Sequence, residues 1–168
     1  MHSDGDARRS GVGVDIGGDA EVFQVAARVL TGLALRGLAL SAGSMPLPQF
    51  RMLAVLDESG RCTAGQVART LRLAEPSVAR LADRLAASGH LVRSTHPYNH
   101  AVTTLELTPA GRDLVARVMH WRHQELTRIL ARLSPPRRLA AAQAIRGLIE
   151  AAAGAGYGAD HITGAARL

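Results

Sequence analysis

Leu71-Arg72-Leu73-Ala74-Glu75-Pro76-Ser77-Val78-Ala79-Arg80-Leu81-Ala82-Asp83-Arg84-Leu85-Ala86-Ala87-Ser88-Gly89-His90-Leu91-Val92-Arg93-Ser94 decides the fold. The run from Ala74 to Ser88 has helical spacing, with Pro76 in its first turn and Gly89-His90 as its stop. Leu91–Ser94 and Val102–Leu107 are β-rich and bracket Thr95-His96-Pro97-Tyr98-Asn99-His100, which predicts a hairpin with a polar turn. A short helix, a turn, a second helix and a hairpin make a helix-turn-helix with a two-stranded wing. Such a unit places one helix in the DNA major groove.

Working outward, Thr63-Ala64-Gly65-Gln66 is a capping box that opens a short helix ending near Leu71. Pro48 suits the first turn of a helix running to about Asp57, with Phe50, Leu53, Ala54 and Leu56 on its apolar face. Thr108-Pro109 and Ser134-Pro135-Pro136 start a long helix to about Leu133 and a last helix to about Ala153. A first helix is expected from about Asp19 to Ala42. Val22, Val25, Val29 and Leu35 make it apolar nearly all round, so it needs more than one packing partner. The predicted fold is mainly α, a winged helix-turn-helix with N- and C-terminal dimerisation helices.

The expected organisation is a flexible tail over 1–18, a dimerisation helix over 19–45 and a DNA-binding domain over 46–108. C-terminal dimerisation helices follow over 109–153, then a frayed tail over 154–168. Two-fold dimers are the commonest oligomers. A dimer would space two recognition helices about one DNA turn apart.

The chain has 168 residues and a net charge of +6, and all 20 basic residues are Arg. A basic surface attracts polyanions. Residues 61–101 carry six Arg against Glu75 and Asp83, a net of +4, and residues 109–150 carry eight Arg against three acids, a net of +5. No apolar run reaches the length of a membrane span, and residues 1–6 lack the pattern of a secretory signal. Cys62 is the only cysteine, which excludes an intrachain disulfide and fits the cytoplasm.

The layout resembles the MarR family of bacterial winged-helix transcription regulators. The resemblance rests on Leu47-Pro48-Gln49-Phe50-Arg51-Met52-Leu53, Gly65-Gln66-Val67-Ala68, Ser77 to Leu85, Gly89-His90-Leu91-Val92-Arg93 and Leu107-Thr108-Pro109-Ala110-Gly111. These pieces span roughly residues 20–152. The chain departs from the family at the wing, where Asn99-His100-Ala101 replaces the usual Asp-Arg-Arg run. It departs again at Ala74-Glu75-Pro76, where many relatives carry hydrogen-bonding side chains. Glu75 would repel phosphate, although it suits cytosine N4.

Ser77, Arg80 and Arg84 share a helix face that points to base edges and phosphates, with Pro76 at its start. Thr63 and Gln66 offer a helix N-terminus for a phosphate, alongside plain capping. Arg93 either contacts the backbone or braces the hairpin. His100, with His96, lies toward the minor groove if the wing follows the family, and is otherwise part of an exposed turn.

The resemblance further implies a small lipophilic or aromatic-acid effector between the DNA-binding lobe and the dimer helices. Leu38, Phe50 and Leu53 are candidates to line its site. His120 and His123 read as solvated helix residues rather than a zinc site, Trp121 as core or dimer interface, and Cys62 as a buried structural thiol. No metal, cofactor or catalytic residue is assigned, because no nucleophile motif or phosphate loop is present. The expected function is that of a ligand-responsive homodimeric repressor on a pseudo-palindromic operator in duplex DNA. The alternative is a dimeric winged-helix scaffold with weak, non-specific DNA binding.

Overall fold

A computed structural model describes residues 16–96 and 99–155, apart from the side chains at 96 and 99–101. The helices are α1 (Ile16–Ala42), α2 (Leu47–Ser59), α3 (Ala64–Leu71), α4 (Glu75–Ala87), α5 (Pro109–Leu130) and α6 (Pro135–Gly154). The strands are β1 (Cys62–Thr63), β2 (Leu91–His96) and β3 (Asn99–Leu107). The fold is mainly helical, with a winged helix-turn-helix at its centre, as the sequence predicts.

The wing is one strand richer than expected. The sheet is three-stranded and antiparallel in the order β1-β3-β2. Cys62 pairs with Leu105 and Thr63 with Thr104. Two residues are too few to show a period of two, so β1 leaves no pattern in the sequence. On the other side, Leu91 faces Leu107 and Arg93 faces Leu105, with a register shift between Thr95 and His96.

Local chemistry sets the helix starts. The Thr63 hydroxyl accepts from the Gln66 amide at 3.2 Å, and the Thr63 amide donates to Gln66 Oε1 at 2.7 Å, which completes the predicted capping box. Thr108 caps α5 by accepting from the Gly111 amide at 3.1 Å, with Pro109 as first helical residue. Ser134 occupies the N-cap of α6, but its side chain makes no capping bond. In the turn between α3 and α4, Arg72 adopts a left-handed conformation (φ 54°).

The core gathers α2, α3, α4, the sheet and the first half of α5. Met52, Leu53, Leu56, Val67, Val78, Leu85, Leu105 and Val118 are its largest fully buried side chains. Gly111 marks the tightest join. A Cβ there would sit 2.2 Å from the His90 carbonyl oxygen. The Thr108 amide donates to that same oxygen at 3.1 Å, and the Thr108 hydroxyl donates to the Gly89 carbonyl at 2.7 Å. These bonds fasten the start of α5 to the turn that ends α4.

The described residues up to Gly32 form a unit of their own, and those from Leu33 onward a second. Among the described residues of the first, Val22, Val25, Val29 and Leu30 are exposed. By length and composition α1 is apolar enough to cross a membrane, with a hydropathy of 1.4. The expectation that no apolar run is long enough is corrected here: Arg28 and Arg36 interrupt α1 without lowering its mean hydropathy below that of a possible span. In the second unit, α6 buries no residue.

Candidate nucleic-acid interface

Helix α4 buries Val78, Ala82 and Leu85, at spacings of four and three. This apolar stripe fixes its rotation, because turning the helix would expose Val78 and Leu85. Ser77, Arg80 and Arg84 line the rim of a shallow concavity of about 220 Å³, completed by Pro48, Leu73 and Leu81. Arg80 Nη2 donates to the Ser77 hydroxyl at 3.3 Å. Guanidinium and hydroxyl are thereby held as neighbouring donors on an exposed face. Pro76 is in the first turn of α4, next to Glu75, and Ala74 at the N-cap supplies no capping side chain.

Arg93 on β2 forms an ion pair with Asp83 on α4. This pair joins the wing to α4, which suits the brace and leaves the backbone contact open. Both partners are substantially exposed, so the pair orients more than it stabilises. His100 belongs to β3 by its backbone, but its side chain lies outside the described residues, as does the turn at 97–98.

Thr63 and Gln66 open α3, and Gln66 lines a second, larger concavity of about 570 Å³. Arg61, Arg69 and Arg72 contribute three guanidinium groups to its lining. Arg61 is also held by Glu106 of β3 through contacts of 2.7 and 2.8 Å. Sequence reasoning missed this grouping. The signal was the acid-free spacing of Arg61, Arg69 and Arg72, but bringing Arg61 to the others requires β1.

The proposed effector-lining residues Leu38, Phe50 and Leu53 all belong to the core. Beside them, and also missed, is Arg122 of α5. Its guanidinium carbon lies 5.2 Å from the Phe50 ring centroid, and Nη2 donates to the Ala34 carbonyl at 3.2 Å. Its Nε is buried without a hydrogen bond among the described residues, and burial lowers the Arg122 pKa. Trp121 packs on Gly37, where a Cβ would meet its ring at 2.7 Å.

Cys62 is buried in β1, and burial raises its thiol pKa, partly offset by a hydrogen bond with Ser59. A thiol held protonated at neutral pH is a poor nucleophile. His120 Nε2 bonds Gln124 at 2.8 Å. No group of three metal-ligating side chains occurs among the described residues.

The sequence over residues 44–100 matches the model of the MarR family. Over this stretch the chain is similar to the MarR family. The match covers α2, the helix-turn-helix of α3 and α4, β2 and the first two residues of β3. The chain is similar to RV1404 from Mycobacterium tuberculosis, at 26% identity and TM-score 0.76, over 90% of this chain and 97% of that one. It shares the fold of a MarR family protein from Bacillus stearothermophilus, with 24% identity, TM-score 0.68 and coverage of 80% and 94%. It also shares the fold of Streptococcus pneumoniae FabT, solved in complex with DNA, at 16% identity, TM-score 0.63 and coverage of 79% and 92%. No curated protein matches the sequence.

Proposed function

We propose that the protein is a DNA-binding transcription regulator that acts in the cytoplasm as a homodimeric repressor on a pseudo-palindromic operator. The observation that carries this reading is the face of exposed Arg80 and Arg84 with half-buried Ser77, on a helix whose opposite face is locked into the core. The fold shared with FabT, solved with DNA, supports it. Arg80 reads a base edge or its phosphate, Arg84 and Ser77 hold the backbone, and Thr63 and Gln66 add a phosphate contact at the start of α3. Arg93 sets the wing angle through Asp83.

The exposed apolar residues of α1 and α6 are the surfaces through which a second copy would pair. An effector of lipophilic or aromatic-acid type acts, in this reading, by favouring one spacing of the two recognition helices over another. Leu38, Phe50 and Leu53 remain the residues proposed to face it.

The test is binding to labelled duplex from the gene's own upstream region, against unrelated duplex, at two salt concentrations. Arg80→Ala is expected to lower specific affinity by about 1–3 kcal/mol. An unchanged binding curve removes Arg80 from base reading. The scaffold reading keeps one specific observation in its favour: Glu75 is exposed in the first turn of α4, where it opposes phosphate. Equal, salt-sensitive binding to all duplexes, including genomic fragments, would establish that reading instead.

A further inference from the structure

Residues 61–101 carry six Arg and two acids, Glu75 and Asp83. Asp83 is paired with Arg93. Glu75 is exposed, and among the described residues no hydrogen bond or ion pair holds its carboxylate. Arg69 comes near without closing a pair: a Cβ on Gly65 would lie 3.2 Å from Glu75 Oε1 and 3.8 Å from Arg69 Nη1. The carboxylate therefore stands where the first turns of α3 and α4 meet.

Helix α4 does not use this side chain as a cap. The amides of Ser77 and Val78 donate to the Ala74 carbonyl at 2.9 and 3.2 Å, and Pro76 has no N–H. The positive end of the helix dipole favours an acid there without requiring one. In a helix-turn-helix the N-terminal residues of the second helix meet base edges. A lone carboxylate at that end is repelled by phosphate, so it lowers affinity for DNA unless a base donates to it.

Two bases offer a donor in the major groove. Cytosine presents its N4 amino group and no acceptor. Adenine presents its N6 amino group beside the N7 acceptor, which repels the second carboxylate oxygen. Guanine and thymine present acceptors alone. Cytosine is the base that suits an unpaired carboxylate best.

We infer that Glu75 is a specificity residue that selects a cytosine in each half-site by accepting a hydrogen bond from its N4 amino group. The inference rests on the DNA-binding reading above and names one base of the operator. It also gives a use to the residue that favours the scaffold reading. The charge that opposes phosphate on every duplex is compensated only where a cytosine lies beneath it.

The experiment is selection of binding sites from a random duplex library by the full chain as wild type, Glu75→Gln and Glu75→Ala. Affinities for all four base pairs at each selected position follow, with thermal unfolding as a check on the fold. The wild type should enrich cytosine at one position of each half-site and lose about 10-fold in affinity when that base is replaced. Glu75→Gln should move the preference at that position to adenine, whose N6 and N7 suit an amide. Glu75→Ala should lose the preference there, keep the other selected positions and bind unrelated duplex more tightly, because a repelling charge is gone.

N4-methylcytosine at that position of the operator provides the second measurement. The methyl group replaces the N–H that faces the major groove and keeps the base pair. It should weaken the wild-type protein and leave Glu75→Ala unaffected. The same motif in the wild type and both variants overturns the role of Glu75 alone, and tighter binding of Glu75→Ala to every duplex would then reduce it to repulsion of the backbone. Wild-type binding without any enriched motif, or no binding to any duplex, overturns the sequence-specific reading and the role of Glu75 with it.

Discussion

The winged-helix body and the last helix are built from similar residues and end in opposite states. In the body, Met52, Leu53, Val78 and Leu85 are fully enclosed. On α6, Leu139, Leu148 and Ile149 are 58%, 46% and 44% exposed, and no residue is buried. The body closes its apolar surface against three helices and a sheet. Helix α6 keeps an apolar surface that none of the described residues covers, which is what a surface used for association looks like. Apolar content alone does not define a core; what decides is whether another element is present to meet it.

The body should be the intolerant half. Gly111→Ala drives a Cβ into the His90 carbonyl oxygen, a backbone atom that cannot rotate away. Overpacking of this kind should cost about 3 kcal/mol, seen as a lower denaturant midpoint with an unchanged slope. Tolerance of Gly111→Ala would mean that α5 is not fastened to the α4–β2 turn as described.

The terminal helix should respond through association instead. Leu148→Asp places a charge on an already exposed apolar position, so it should leave the monomer's fold intact. If α6 pairs with a second copy, burying that charge should weaken the dimer by about 2 kcal/mol, or about 30-fold in dissociation constant. Sedimentation across a concentration series reads this directly. An unaltered dimer places the interface elsewhere, and a wild-type monomer at all concentrations removes the dimer.

How much of this was legible in the sequence follows the same division. Caps and punctuation are local, so Thr63-Ala64-Gly65-Gln66 and Thr108-Pro109 announced α3 and α5 before any tertiary contact was known. The placement of Arg80 and Arg84 was legible too, because helical spacing turns them away from the buried Val78 and Leu85. Strand β1 was not: Cys62 and Thr63 are extended because β3 pairs with them. The arginine concavity was hidden for the same reason, since Arg61 reaches Arg69 and Arg72 only through that pairing. Arg122 read as one more basic residue on a long helix, and its place over Phe50 depends on how α5 packs on α2. Ser134 shows the opposite error, a cap signal whose hydroxyl makes no capping bond.

Gly147→Ala sharpens the comparison at lower cost. On α6 a Cβ at Gly147 would have nothing within 4 Å. In a free helix, replacing Gly by Ala should stabilise by up to about 1 kcal/mol. A rise in unfolding temperature at low concentration, where monomer dominates, is the expected outcome. If the same variant destabilises at high concentration, Gly147 is a point of close approach between copies.

The smallest effect belongs to the join between wing and recognition helix. Arg93 and Asp83 are exposed, so a double-mutant cycle with Arg93→Ala and Asp83→Ala should give a coupling of no more than about 1 kcal/mol in stability. Their role lies in orientation. Each single variant should reduce DNA affinity, and the two losses should not add, because either one releases the same brace. Additive losses would mean that Arg93 touches DNA directly and that Asp83 acts by its own charge. The cycle therefore separates the two uses of Arg93 that its sequence position left open, with the binding measurement deciding where the stability measurement is too small to do so.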